Sequence, residues 1–293
     1  MGATLKEIQR KVGAVHKTRQ ITKAMNMVAA SKFKSSQARM LNFRPYAAKF
    51  MDVLSSLALR VETDVHPLLA VREPKKVRII GMTSDRGLCG GFNSNIIRAT
   101  ERFMREKVRE GKEPELIPIG RKGRDYFRKK TNIMSPRADI FGRFDMTLAV
   151  EIAEDVIPAF LNEEYEELYI IYNEFYNVTI QKPTVLRILP PPSLDQDLKE
   201  VGPESSRDYI YEPSADALLE KLLPMYVHNM IYRALVETSA GENGARMAAM
   251  DNATKNCEEL INSLTLKFNK ARQAAITAEL MDIVGGTEAL SAG

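Results

Sequence analysis

Residues 245–284 read ARMAAMDNATKNCEELINSLTLKFNKARQAAITAELMDIV, a run without a glycine or a proline. Uninterrupted helix of that length is about 60 Å long, twice the ~30 Å span of a 20-residue helix or a small domain. Beyond Met250 the small and apolar residues fall at Thr254, Cys257, Ile261, Leu264, Phe268, Ala271, Ala275 and Ala278, the alternating 3–4 spacing of a helical seam, shrinking toward the C-terminus. The other end of the chain mirrors it. Ala14 to Arg44 is also free of glycine and proline, predicting about 45 Å of helix. A seam there runs through Leu5, Ile8, Val12, Val15, Arg19, Thr22, Asn26, Ala29, Phe33, Ser36, Met40, Phe43, Ala47 and Phe50. Helices this long cannot hide in one compact core, so the economical arrangement is an antiparallel coiled coil of the two chain ends. Pro45 is expected to kink the first helix without ending it, because the pattern resumes at Leu54 and Leu57.

Between the ends the pattern changes. Lys76–Met82 is a short β-like run closed by the polar, glycine-rich Thr83–Asn93; a helix follows to Arg109, then strand-like Leu116–Ile119, a basic helical patch Arg121–Lys130, an apolar helix near Leu148–Leu161, and strands at Glu167–Asn173 and Thr179–Leu189. Alternating strand and helix predicts a mostly parallel sheet with covering helices. Pro190–Pro203 reads as an extended connector, and Ser214 as the N-cap of the returning helix, with an early Pro224 as a kink. The fold class is α/β: N-terminal coiled-coil helix over 1–66, Rossmann-like domain over 67–208, C-terminal coiled-coil helix over 209–293.

With 293 residues, 44% hydrophobic and 27% charged, the chain can build real cores. No apolar run approaches the ~20 residues that span a bilayer. The start, MGATLKEIQRKVGAV, has no signal-peptide pattern, and Lys6 stands where myristoylation needs Ser or Thr. A cytoplasmic, soluble or membrane-peripheral protein is expected. Cys89 and Cys257 lack CxxC spacing, and His16, His66 and His228 lack metal-ligand spacing. No cofactor, metal or catalytic residue is expected. The first fifty residues carry eleven Lys and Arg against Glu7 alone, a face that is either simply solvated or suited to an acidic partner.

The 83–93 loop follows a strand and precedes a helix, where open α/β sheets bind phosphates. It matches neither GxGxxG nor GxxxxGK[ST], so it reads first as a tight turn. A Rossmann-like nucleotide- or phosphate-binding enzyme with coiled-coil oligomerisation arms stands as the alternative. A basic coiled-coil nucleic-acid binder is a weaker third reading, lacking interleaved aromatic stacking residues.

Three separated motifs resemble one family. Ile21–Lys32 with its paired methionines, the loop Thr83–Asn93, and the tail Arg272–Gly286 with Ile276, Thr277, Glu279, Asp282 and Gly286 are together similar to the gamma subunit family of bacterial F-type ATP synthases, over essentially the whole chain. The tail departs at Thr287, where the family signature has Ser or Ala. The resemblance implies a non-catalytic rotor in the central stalk, on the cytoplasmic face of the inner membrane, coupling proton-driven turning of a c-ring to conformational cycling of beta catalytic sites. It implies alpha, beta and epsilon subunits and the c-ring as partners. Lys23, Met25, Arg272, Gln273, Thr277 and Glu279 would contact beta, and Tyr209, Tyr211 and Glu212 would face epsilon and the c-ring.

Overall fold

The computed structural model describes residues 2–58, 66–192, 212 and 214–291. Helix α1 (Gly2–Ala58) leads, through a single turn of 3₁₀ helix at Pro67–Leu69, to β1 (Lys76–Met82), α2 (Phe92–Arg109), β2 (Glu113–Ile119), α3 (Arg121–Phe127), α4 (Met146–Leu161), β3 (Glu167–Phe175), β4 (Gln181–Leu189) and α5 (Ala215–Ser291). Two compact units result: residues 1–28 with 247–293, and residues 29–246.

In the larger unit the sheet order is β2-β1-β3-β4. β1 pairs in parallel with β2 and β3, and β4 is antiparallel to β3. The two parallel pairings use helical crossovers, whereas the five residues linking β3 to β4 permit only a hairpin. Period-two alternation sorts the central strands onto two cores. Val77, Ile79, Leu116 and Ile171 pack with Ile96 and Phe127 of α2 and α3. Ile80, Met82, Ile117, Ile119, Leu168 and Ile170 face the other way, against Ile152, Val156 and Phe160 of α4, Leu54 and Leu57 of α1, and Tyr226, Val227 and Ile231 of α5. Both faces being covered explains why these strands read as apolar runs. The backbone at Gly81 packs closely against its neighbours: a Cβ there would sit 3.3 Å from Leu116 Cδ1, a contact the leucine would have to yield by a few tenths of an ångström, and 3.6 Å from Thr100 of α2.

A buried carboxylate ties the helices to the sheet within this unit. Glu237 of α5 is fully buried, and Arg44 of α1 donates to it from Nε (3.0 Å) and Nη2 (2.8 Å). Glu237 Oε2 also accepts from Phe175 N at 2.9 Å, and Arg44 Nη2 donates to Phe175 O at 3.0 Å. The residue before Pro45 thus clamps α1 exactly where the proline removes a helical N–H, and α1 runs on through it.

His66 caps the 3₁₀ turn: its Nδ1 accepts from Leu68 N at 3.1 Å. Burial holds its pKa below the ordinary imidazole value, partly opposed by Glu220. Because the unfolded chain takes up the proton first, this contribution is full above pH 6.5 and is lost as pH falls through 6.5 toward the lower folded value, at no more than ~1.4 kcal/mol per pH unit. His66→Asn keeps an acceptor at the cap and does not titrate. Thermal melts from pH 7.5 to 5 should therefore show a shallower acid loss in the variant; identical slopes would remove His66 from the account.

Candidate functional site: the terminal helix pair

In the smaller unit α1 and α5 run antiparallel, fixed by polar contacts. The Thr22 and Thr254 hydroxyls lie 2.8 Å apart and share a hydrogen bond across the pair, each also within reach of a carbonyl of its own helix, Arg19 O at 3.1 Å and Met250 O at 2.8 Å. Asn26 Nδ2 donates to Met247 O at 2.8 Å, and Arg19 reaches Glu258 at 3.8 Å. The seam is therefore registered by hydrogen bonds rather than filled by leucines, each worth only about 1 kcal/mol but each geometrically specific. Every seam position expected on α5, from Thr254 to Ala278, is buried or half-buried, with Ile261 the most enclosed. Leu5, Ile8, Val12, Val15, Arg19, Thr22 and Asn26 answer it on α1.

Carried downward, this antiparallel register brings Leu5 to the neighbourhood of Ala271. The rest of α5 lies beyond the start of α1, and from Glu279 to Thr287 every side chain is exposed. Ile276, Leu280, Met281, Ile283 and Val284 are large apolar residues left open on this overhang. The helix does not stop at Gly285–Gly286; it continues to Ser291. Two helical glycines cost only about 1 kcal/mol each.

The expected contact residues fall into three groups. Lys23, Arg272, Gln273, Thr277 and Glu279 are exposed, while Met25 is half-buried beside the seam. Thr277 Oγ1 donates back to the Gln273 main-chain O at 3.0 Å, and the Gln273 side chain is exposed. Glu212 is exposed; Tyr209 and Tyr211, with most of the proline-rich connector, lie outside the described residues. The Ile21–Lys32 segment also carries Ile21, Met27 and Val28, exposed apolar side chains of α1 near Lys23 that were not among the expected contacts. Their signal was available: apolar residues off the seam on an otherwise basic helix.

The glycine-rich loop belongs to the larger unit, and its polar groups are spent within the loop and on the segments packed against it. Asn93 Oδ1 accepts from Ser84 N at 2.9 Å, and Ser84 Oγ donates to Arg86 O at 2.6 Å. Arg246, paired with Glu242 at 2.7 Å, donates to Gly87 O at 3.1 Å. Asp85 accepts from three backbone N–H groups, those of Arg121 (2.9 Å), Asp139 (2.8 Å) and Phe141 (3.0 Å). Burial pushes the Glu242 carboxyl above its ordinary range, with Arg246 opposing, and likewise raises the Cys89 thiol. The loop is an internal brace, as the tight-turn reading expects.

The family model for ATP synthase matches residues 4–290. The ATP synthase gamma chain of Syntrophus aciditrophicus (strain SB) is 67% identical, over 99% of this chain and the whole of that one. The chain belongs to the ATP synthase gamma-chain family. A gamma chain from Nitratidesulfovibrio vulgaris (Miyazaki F) is 49% identical over 98% of this chain and 99% of its own. Among solved structures, the central stalk and c-ring of the Tetrahymena thermophila mitochondrial ATP synthase contains a chain with 28% identity and a TM-score of 0.60, covering 80% of this chain and 99% of that one. A chain of the Euglena gracilis mitochondrial enzyme, 21% identical, shares the fold at a TM-score of 0.70 over 100% of this chain and 96% of its own. As a gamma chain, this is a central-stalk subunit of an F-type ATP synthase, a membrane-associated complex for ATP synthesis and ion transport. None of its described helices is long and apolar enough to cross a membrane.

Proposed function

We propose that this gamma chain works as the torque shaft of its complex, with the α1–α5 pair turning inside a ring of alternating alpha and beta subunits and the α/β unit lying toward epsilon and the c-ring, on the cytoplasmic face of the bacterial inner membrane. The observation that carries the reading is the α5 overhang: a helix extending past its partner, slim through Ala271, Ala274, Ala275 and Ala278, with Ile276, Leu280, Met281, Ile283 and Val284 open. Exposed apolar side chains in such number mark a surface that another protein covers. A shaft must meet each catalytic subunit with a different face, since a partner shifts a conformational equilibrium only by its differential affinity for the two states.

Arg272, Gln273, Thr277 and Glu279 would meet a beta-subunit loop, and Lys23 and Met25 the acidic part of beta. Among the described residues Lys23 and Arg272 have no ion-pair partner, so their charge is available to an acidic surface. Tyr209, Tyr211 and Glu212 are proposed to face epsilon and the c-ring. Replacing Arg272 and Gln273 together by alanine should lower assembly or ATP turnover of the complex several-fold, because bonds to a charged group are worth about 1.5–3 kcal/mol each. Circular dichroism of the isolated chain should not change, since both side chains are exposed. Wild-type assembly and turnover would take both residues off the contact surface.

A further inference from the structure

We propose that Lys32, Arg39, Arg143, Ser239 and Asn243 form an oxyanion site that takes free inorganic phosphate. They line a cavity of about 120 Å³ in the larger unit, well above the room one water needs. Donors enter from three directions: Lys32 and Arg39 from α1, Arg143 from the loop before α4, and Ser239 and Asn243 from α5. Among the described residues none of the three cations has an ion-pair partner.

Two buried groups show that this is more than a basic surface. Ser239 is 5% exposed, and its hydroxyl has no hydrogen-bond partner among the described residues, although most serine and threonine hydroxyls on these helices donate back to a carbonyl. The Ser239 oxygen is not sealed off, since among the described residues only Arg137 Nε is a buried side-chain atom without a partner; the hydroxyl opens into the cavity, where a ligand would take its hydrogen bond. Asn243, 7% exposed, spends one Nδ2 hydrogen on Ser239 O at 2.9 Å and keeps the second. Arg39 is held in place: its Nη1 donates to Phe144 O at 2.8 Å and its guanidinium lies 5.0 Å over the Phe144 ring, leaving most of its five N–H donors unspent. Neighbouring carboxylates are engaged elsewhere. Glu242 pairs with Arg246, Asp139 with Arg121, and Asp145 caps Thr147 N at 3.0 Å; Glu151 lines the adjoining 560 Å³ cleft rather than this cavity. Donors converging from several sides on a small volume suit a compact, multiply charged tetrahedral anion better than a carboxylate presented from one side.

The test is phosphate binding to the purified full-length chain, by equilibrium dialysis with inorganic phosphate at ionic strength held constant with chloride. Saturable binding should weaken roughly tenfold in Arg143→Gln and several-fold in Ser239→Ala, with unchanged circular dichroism. The exposed Arg143 carries no internal contact that folding needs. A parallel series with ADP separates the sources of a phosphate group: free phosphate should bind at least as tightly as ADP. No saturable phosphate binding, binding equal in wild type and both variants, or tighter ADP binding that Arg143→Gln abolishes would each overturn the proposal.

Discussion

Gly120→Ala is expected to destabilise the larger unit by about 4 kcal/mol, lowering its thermal midpoint by roughly 10 °C. Gly120 has φ +94°, a conformation that costs an L side chain about 1–3 kcal/mol. A Cβ there would also lie 2.2 Å from Thr83 O and 2.7 Å from its carbonyl carbon, and backbone cannot rotate aside as a side chain can. Thr83 is itself pinned. Its N–H donates to Ile119 O at 2.8 Å, its hydroxyl to Ile119 O at 3.1 Å, and that hydroxyl accepts from Gly123 N at 2.8 Å. Relief of the clash therefore has to part the C-terminal ends of β1 and β2 and drag α3 with them. Thermal unfolding followed by near-ultraviolet circular dichroism reads the loss. A change below 1 kcal/mol would mean the strand ends are looser than these bonds imply.

Arg44→Met is expected to cost about 3 kcal/mol. Removing one member of a buried ion pair leaves the other charge uncompensated, at about 3–5 kcal/mol. The lower end applies because the Arg44 side chain is 43% exposed and water shares its charge, whereas the Glu237 side chain is 1% exposed. Phe175 N still donates to the carboxylate, so Glu237 is not left bare. Combining Arg44→Met with Glu237→Leu should cost less than the sum of the two single changes, by about 1–3 kcal/mol. Urea titration of the four proteins measures this coupling, and strict additivity would show that the pair does not act as a clamp.

Much of the fold was legible because it rests on periodicity. The seam positions on both terminal helices, and the strand alternation that sends Ile79 to one core and Ile80 to the other, follow from spacing alone. What stayed hidden depends on distant partners. Nothing near Arg44 announces Glu237, and nothing near Asp85 announces Arg121, Asp139 and Phe141, so the loop's bracing was visible only as a turn. The C-terminal end of α5 was harder to read, because Gly285–Gly286 weakens the helix too little to end it, whereas α1 runs on through Pro45 as its resuming pattern predicts. The antiparallel β4 could have been read from its short link to β3. At the candidate site the seam was legible, and the Ile21–Lys32 segment stood out by its paired methionines; that Ile21, Met27 and Val28 lie exposed depends on which face of α1 the partner helix covers.

The shaft claim is tested most directly by watching the chain turn. Val71 is 86% exposed in the larger unit, so Val71→Cys in a Cys257→Ser background offers an attachment point for a bead on the assembled complex, held to a surface through its beta subunits. With ATP supplied, the account predicts that the bead rotates in one direction, in steps that match the catalytic sites. ATP hydrolysis by a complex containing this chain while the bead stays still would contradict it.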